Sequence, residues 1–414
     1  MSRGAQGCLP RAGWLVASAT TLGLIALLSL SVGPSSLDTA SIDLRHRWIV
    51  LTGSRDQPPI DVASTPGVRG HVANRVGVNT FLEQEVEPTK RQRSLELLRA
   101  AGVGWIRQEL PWEQVEPVAK GQTTDLSGES TWQKFDDIVG RAHGVGIDLL
   151  LRLDTSPRWA LSSDAPDGLR PPTRFEDYWD FVEQVATRYR GRVRAYQIWN
   201  EPNLSGEWGR QPPDARAYVR LLRGATERIR RADPQALVVL AALAPTLTQN
   251  AEAENELVYL QQVYEVGARG GVDYDILGVQ AYGLRGGPDD PRVGATDVTF
   301  SRPELVRDLM QRNGDSATPV WATEVGWNVN PPDLPEQRFG RVTPVLQARY
   351  TLRAFARTQA QWPWLEALYV WYWKRADETN RGQDWYWFRL ADPDFSLQPV
   401  YYALRDGLTI ASPG

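Results

Sequence analysis

The sequence predicts an α/β protein built as a (β/α)8 barrel of the TIM type, and three observations carry that prediction. From Asn74 onward, apolar runs of strand length alternate with amphipathic stretches of helix length, and there are eight such units. Alternation of this kind demands parallel pairing, and parallel strands need both faces covered. No Gly-rich phosphate turn follows the first strand: Val78-Asn79-Thr80-Phe81 offers none, and Gly102-Val103-Gly104 precedes a strand. An open doubly wound sheet would want that turn, so eight units closing on themselves is the better account. The 414 residues suffice for one such barrel with additions.

The elements follow in order. Residues 1–13 carry Arg3 and Arg11, and residues 14–32 then run without a charge (WLVASATTLGLIALLSLSV). That is just long enough to span a bilayer, and arginines on the near side predict an N-terminus inside and the rest outside. No clean A-x-A site follows and Pro34 sits where cleavage would be awkward, which favours an uncleaved anchor over a cleaved signal peptide. Residues 1–33 are therefore expected to be a signal anchor or signal peptide. Residues 34–73 are expected to be a linker, punctuated by Gly33-Pro34, Pro58-Pro59 and Thr65-Pro66-Gly67, with one short element over 41–51.

Residues 74–414 are expected to form the catalytic barrel. Strands are predicted at 76–81, 105–110, 148–153, 195–199, 237–243, 276–282, 320–325 and 368–373. Helical periodicity lies between them. It is marked by Leu95, Leu98 and Ala101; by Trp132, Phe135, Val139 and Ala142; by Phe181, Val182, Val185 and Tyr189; and by Tyr218, Leu222, Ala225 and Ile229. Leu257, Leu260, Val263 and Tyr264 continue the series, then Leu305 and Leu309, then Leu346, Tyr350, Leu352 and Phe355. A short last helix is predicted near 399–408.

Composition excludes several classes. The net charge of −4 gives no nucleic-acid surface. One cysteine, Cys8, allows no intramolecular disulfide. Three histidines and no H-E-x-x-H motif argue against a histidine-built metal site. Seventeen tryptophans are a heavy load, and those in loops offer flat apolar faces of the kind that suit sugar rings.

In a (β/α)8 barrel the active site lies where strands end and βα loops begin. Strand 2 carries Arg107, with Trp112 beyond it, and strand 3 leads to Asp154 and Trp159. Strand 4 ends in Asn200-Glu201, stopped by Pro202, which has no N–H to give a sheet. Strand 6 ends in Gln280-Ala281-Tyr282, strand 7 in Thr323-Glu324-Val325, and strand 8 holds Trp371 and Trp373. Strands 4 and 7 stand on opposite sides of an eight-stranded ring, so Glu201 and Glu324 can face each other across its mouth. Paired carboxylates are what glycosidic cleavage needs. Simple alternation puts Glu201 on one face with Gln197 and Trp199, and Glu324 with Val320 and Ala322. Arg107 would hold one glutamate ionised, and burial near Trp199 or Trp208 would keep the other protonated.

Plainer readings stand beside these. Arg107 can fill a barrel layer, Tyr282 can pack at a barrel end, and each loop tryptophan can simply pack. Asn203-Leu204-Ser205 fits a glycosylation sequon that sits against the site, and reads as incidental. The run 228–231 reads as a solvated helix end, and Pro288-Asp289-Asp290-Pro291 as a plain loop.

The motif Ile198-Trp199-Asn200-Glu201-Pro202-Asn203 resembles the acid/base signature of the large clan of retaining glycoside hydrolases with (β/α)8 barrels. Trp321-Ala322-Thr323-Glu324-Val325-Gly326-Trp327 resembles the clan's nucleophile strand. Trp105-Ile106-Arg107 with Trp112 and Glu116-Pro117, Pro157-Arg158-Trp159-Ala160, and Pro399-Val400-Tyr401-Tyr402-Ala403-Leu404 add to the likeness, which covers residues 74–408. It is nearest to family 39, with family 5 next. The resemblance implies Glu201 as acid/base, Glu324 as nucleophile, Asn200 as a partner of the sugar 2-hydroxyl, and Tyr282 and Arg107 as partners of the nucleophile. It implies Trp371 or Trp373 as floor of the cleavage subsite. Many clan members carry His two residues before the strand-6 Tyr, where this chain has Gln280.

The expected activity is thus retaining hydrolysis of an oligo- or polysaccharide, with no cofactor and no metal. The rival from another class is a non-catalytic carbohydrate-binding barrel. Expected partners are a carbohydrate and, through the N-terminal segment, a membrane; no nucleic acid is expected, and the chain is read as a monomer. The expected location is extracytoplasmic, anchored by the N-terminal helix or secreted if that segment is cleaved.

Overall fold

The computed structural model describes residues 60–61, 72, 74–162 and 170–409. The apolar run at 14–32 and the element read at 41–51 lie outside the described residues. Among the described residues no helix is long and apolar enough to cross a membrane.

Eight parallel strands close into a barrel in chain order. They are β1 (Val76–Thr80), β2 (Trp105–Pro111), β3 (Asp148–Asp154), β4 (Ala195–Ile198), β5 (Leu237–Leu243), β6 (Ile276–Tyr282), β7 (Val320–Gly326) and β8 (Leu365–Val370). The ring shuts where β1 pairs with β8, Gly77 opposite Tyr369. Among the described residues, eight helices of nine residues or more follow the strands: α1 (Pro88–Ala100), α2 (Trp132–Gly144), α3 (Phe175–Arg188), α4 (Ala215–Ala232), α5 (Glu256–Glu265), α6 (Pro303–Arg312), α7 (Pro344–Gln361) and α8 (Pro399–Gly407).

Local chemistry explains the helix starts. α1, α6, α7 and α8 open on proline, whose missing N–H is an orphan there anyway. Asp214 accepts from the Ala217 N–H at 2.9 Å to cap α4, and Thr343 from Leu346 at 3.2 Å to cap α7. Each helix then buries one stripe against the sheet. In α2 this is Trp132, Phe135, Ile138, Val139 and Ala142, the 3.6-residue spacing read from the sequence. Tyrosines on two helices tie the sheet down: Tyr178 donates to the Leu153 carbonyl at 2.7 Å, and Tyr218 to that of Ile198 at 3.2 Å.

The lower barrel is plugged. Val72, Trp105, Leu150, Ala195, Val239, Ile276, Trp321, Ala367 and Tyr369 form one buried cluster drawn from the strands around the ring. Trp105 and Trp321 meet edge to face at 5.1 Å, with Tyr369 beside Trp321 at 5.9 Å. Gly77 leaves room for this: a Cβ there would lie 2.4 Å from the Tyr369 ring.

Three expectations need correction. The last strand begins at Leu365 rather than at residue 368, and it ends at Val370. Glu366 interrupts the apolar run and hid the start; it is buried because it accepts from the Trp321 indole at 3.1 Å. The segment read as linker is also not wholly separate. Ile60–Asp61 pairs in parallel with Leu408–Thr409, and Val72 belongs to the barrel plug. The arginines at 228–231 are not simply solvated, since Arg228 and Arg231 both pair with Glu183 of α3 at 2.6 Å.

Candidate active site

Above the apolar plug the barrel interior turns polar. Arg107, 3% exposed, is the hub. Its Nε donates to Gln197 Oε1 at 2.9 Å and its Nη1 to Asn79 Oδ1 at 2.7 Å. Nη1 also donates to Glu324 Oε1 at 2.9 Å, and Nη2 to Asn200 Oδ1 at 2.8 Å. One guanidinium thus fixes side chains from β1, β4, the tip beyond β4, and β7. The planar fork of arginine can do this; a lysine point charge cannot.

Glu324 is buried, and both oxygens are held. Oε1 takes the Arg107 bond, and Oε2 accepts from the Tyr282 hydroxyl at 2.7 Å. Its inward aim is the product of bulges, not of plain alternation. The β6–β7 register slips between Val279 and Gln280, so that Gln280 lies opposite Glu324, and the β7–β8 register slips between Ala322 and Val325. Trp321 therefore joins the plug while Glu324, three residues on, reaches the mouth, and the expected grouping of Glu324 with Val320 and Ala322 does not hold.

The β4 tip breaks alternation as well. Trp199 has φ 69° and Glu201 φ 39°, left-handed values that are uncommon for non-glycine residues. Trp199 turns away from Gln197, packing on Tyr178 and Trp208 at 5.9 Å each, and its indole donates to the Glu207 carbonyl at 2.8 Å. Asn200 and Glu201 are thereby carried into the mouth. Glu201 is half-buried and accepts a hydrogen bond from the Gln280 amide. Burial pushes its pKa up to about 7, helped by the charge of Glu324; the Gln280 bond and Arg107 pull the other way.

Glu201 and Glu324 line a common cleft of about 540 Å³, together with Asn200, Tyr282, Gln280, Trp371 and Trp385. A larger groove of about 910 Å³ lies elsewhere, beside the starts of α3 and α4, and neither glutamate lines it. Among the described residues no cluster of His, Cys, Asp and Glu is grouped to hold a metal ion.

The aromatic residues divide. Trp371 is half-buried in the cleft wall, edge to face with Phe81 at 5.5 Å. Trp373 stands apart from the cleft: it is 1% exposed and packs on Phe395 and on Tyr401 of α8. Trp112 is fully buried, stacked on Phe181 of α3 at 5.4 Å. Trp159 packs edge to face on Trp112 and donates to the Glu116 carbonyl at 2.7 Å. Trp112, Trp159 and Trp373, expected as substrate contacts, are thus not among the residues that line this cleft, and each packs on neighbouring rings. The sequon fares similarly. Asn203 is wholly buried, and its amide is used up between Ala244 and Glu254, so no glycan fits there in the folded chain.

Sequence reasoning passed over Asn79, Arg152, Gln197, Glu207 and Arg375. Arg152 pairs with Glu109 at 2.8 Å and lies 2.7 Å from Asp154. Arg375 lies over the rings of Phe81 and Trp385. The available signal was a polar residue inside an otherwise apolar strand, as in Leu149-Leu150-Leu151-Arg152-Leu153. A charge survives there only where partners meet it.

No family profile and no curated protein sequence matches the chain. Solved structures do match it. A family 39 glycoside hydrolase from the gut symbiont Bacteroides cellulosilyticus WH2 aligns at TM-score 0.61 and 20% identity, over 80% of this chain and 62% of that one. A monomeric beta-xylosidase from Caulobacter crescentus CB15 aligns at 0.57 and 17%, over 84% and 68%. A family 39 enzyme from Xanthomonas axonopodis pv. citri aligns at 0.57 and 17%, over 85% and 70%. This chain therefore spans under two-thirds of the length of the first of these and slightly more of the others. At such identities the likeness is one of fold, and the fold is the (β/α)8 barrel of the solved family 39 glycoside hydrolases.

Proposed function

We propose that this chain is a retaining glycoside hydrolase. The observation that carries the reading is the unequal treatment of two glutamates in one cleft. Glu324 is locked as an acceptor between Arg107 and Tyr282. Glu201 is biased toward its protonated form by burial. One carboxylate kept as a nucleophile beside one kept as an acid is the division that double displacement needs.

In the first step a Glu324 oxygen attacks the anomeric carbon as the glycosidic C–O bond breaks. Glu201 gives its proton to the departing oxygen and becomes a carboxylate. The glycosyl–Glu324 ester is then opened by water, whose proton Glu201 takes as the new C–O bond forms, restoring both groups. Asn200, fixed by Arg107, is placed to meet a sugar hydroxyl, and Trp371 to offer a face to the ring. The family resemblance and the structural neighbours, which include a beta-xylosidase, support an O-glycoside substrate. We further propose that residues 1–33 anchor the enzyme so that the barrel works outside the cytoplasm on an oligo- or polysaccharide.

The test is activity on a panel of aryl glycosides and polysaccharides, with Glu201→Gln and Glu324→Gln as controls. Trapping with a 2-deoxy-2-fluoro glycoside should add one sugar mass to the peptide bearing Glu324. Activity that survives both substitutions would overturn the assignment. Saturable glycan binding with no turnover would instead favour a carbohydrate-binding barrel.

A further inference from the structure

The cleft holds two cations that the scheme above does not use. Arg338 stands on the loop after β7 and Arg375 on the loop after β8, and both line the cleft with Glu201 and Glu324. The two loops are stitched together by Asp384, a carboxylate 4% exposed. Its Oδ1 accepts from the Asn328 amide at 2.7 Å, and its Oδ2 from the Phe339 N–H at 2.9 Å. Arg338 and Trp385 are the chain neighbours of Phe339 and Asp384, so this fastening sets both at the cleft wall.

Arg375 is held by rings rather than by acids. Its guanidinium carbon lies 3.5 Å from the centre of the Phe81 ring, 4.6 Å from that of Trp385 and 5.1 Å from that of Tyr372. Aromatic faces meet the charge of a guanidinium but leave its in-plane N–H donors unused. Nε is buried and meets no acceptor among the described residues. The Tyr372 oxygen is a neutral acceptor beside the group, its own proton given to the Tyr386 carbonyl at 2.7 Å. The acids that face Arg375 from other elements are Glu83 and Glu109. Glu83 takes the Gln108 amide at 2.5 Å, and Glu109 takes Arg152 at 2.8 Å. Arg338 is exposed, its guanidinium carbon 5.5 Å from the Phe339 ring. Among the described residues neither arginine forms an ion pair.

The other cleft charges are engaged elsewhere. Glu324 is matched by Arg107, and Arg152 by Glu109 and Asp154. Burial pushes Glu201 to about 7 and Glu207 to about 8, so near neutral pH they carry only part of the negative charge that two guanidiniums call for. A partly desolvated cation short of an anion is costly to keep.

We propose that the cleft is built for an acidic glycan, whose anionic group, a sugar carboxylate or a sulfate ester, is received by Arg375 while Arg338 adds charge at the exposed edge. This rests on the reading of the cleft as the sugar site. With Nε sealed away, the donors of Arg375 that a ligand can reach are those of its Nη edge, and two parallel N–H bonds to an oxyanion are the pairing that such a fork makes. The rings of Phe81 and Trp385 hold the guanidinium in place before the ligand arrives. A neutral glycan covers the same cation without pairing it, so the site discriminates by what it leaves unmet.

The experiment is calorimetry of the full chain with matched oligosaccharides that differ at the charged group: glucuronate against glucose, galacturonate against galactose and mannuronate against mannose, with 6-sulfated forms of the neutral sugars as a third arm. In at least one set an acidic member should bind at least about tenfold tighter than the neutral one, the scale of a hydrogen bond to a charged group. Arg375→Met should remove that preference and leave binding of the neutral member in place. Arg375→Lys, which keeps the charge without the fork, should restore part of it. Arg338→Gln should cost less, and its share should fade as salt is added. Tighter binding of the carboxylate or of the sulfate ester tells which anion the site takes, and either sustains the proposal. Acidic glycans that bind no tighter than their neutral partners would overturn it, as would a preference that survives both Arg375→Met and Arg338→Gln. Binding is read without turnover. A chain that hydrolyses neutral glycosides with no acidic preference therefore sinks this inference alone, and one that prefers acidic glycans but cleaves none sinks the glycosidase reading alone.

Discussion

Arg107 and Glu324 form a nearly dry ion pair at 2.9 Å, their side chains 2% and 6% exposed, at the level where the barrel changes from apolar to polar. The same guanidinium serves Asn79, Gln197 and Asn200. Arg107→Met should leave four acceptors without their donor and a buried carboxylate without its cation. The expected cost is roughly 3 kcal/mol of stability, read by denaturant melts, and a fall in kcat/KM of at least about 100-fold. Arg107→Lys keeps the charge but not the fork, so it should recover stability better than activity. Equal recovery of both would argue against a positioning role.

The two glutamates should separate by leaving group. Glu201→Gln is expected to lower kcat/KM by roughly 10² to 10⁴-fold for glycosides with poor leaving groups, and far less for aryl groups that leave unaided. Glu324→Gly should be inactive on both, with activity returning when azide is added, as an azide adduct of opposite anomeric configuration to the retained product. A Glu324→Gly enzyme that still retains configuration would remove Glu324 from the nucleophile's role.

Gln280 donates to Glu201, and this bond favours the ionised acid. Gln280→Leu should therefore raise the proton affinity of Glu201. Activity that needs the protonated acid persists until pH passes its pKa, so the alkaline limb of kcat/KM should move to higher pH. Unlike histidine, an amide stays neutral through this range, so the acidic limb should not carry a contribution from residue 280.

Stability should depend on pH through the same group. The folded pKa of Glu201, about 7, lies above the roughly 4.3 of an unstructured glutamate. The folded state thus binds the extra proton between these values, and its contribution is intact below the lower one and lost as pH rises through the upper. Glu201→Gln should be more stable than the parent at pH 8 by about 3–4 kcal/mol, with the gap closing toward pH 4. A pH-independent difference between the two melting curves would contradict the burial argument.

Trp371 and Trp373 should behave differently despite lying two residues apart. Trp371→Ala opens the cleft wall and should raise KM or lower kcat with modest loss of stability. Trp373→Ala empties a packed site behind the cleft and should cost about 3–5 kcal/mol, with kcat/KM per folded molecule nearly unchanged. Thermal melts and active-site titration distinguish the two.

The barrel was legible because its signal is repeated. The α2 stripe of Trp132, Phe135, Val139 and Ala142 and the run 237–243 each follow from periodicity alone, and eight such units leave few architectures to choose from. The site was legible only at strand tips, where Glu201 and Glu324 stand next to residues that end pairing. What escaped was direction. Alternation put Trp199 with Gln197 and Glu324 with Ala322, and both pairings fail, because a left-handed residue and register slips re-aim the chain. Tryptophans were over-assigned to the cleft for a similar reason: Trp112 and Trp373 sit in the right segments yet face outward to helices α3 and α8. Hub residues such as Asn79 and Gln197 are ordinary until the polar groups they meet from other strands are known.

The plug of Trp105, Trp321 and Tyr369 gives the barrel a closed end, so traffic through the cleft has one doorway. On the proposed mechanism, whatever reaches the glycosyl ester comes in by the route the leaving fragment takes out. Water cannot slip in from below while that fragment lingers, and a second sugar arriving at the mouth competes for the place the first has vacated. The balance between hydrolysis and sugar transfer is then a matter of queueing. Crowding the solution with acceptor glycans should turn more of the intermediate into longer chains, and a fragment that departs slowly should hold back both outcomes alike.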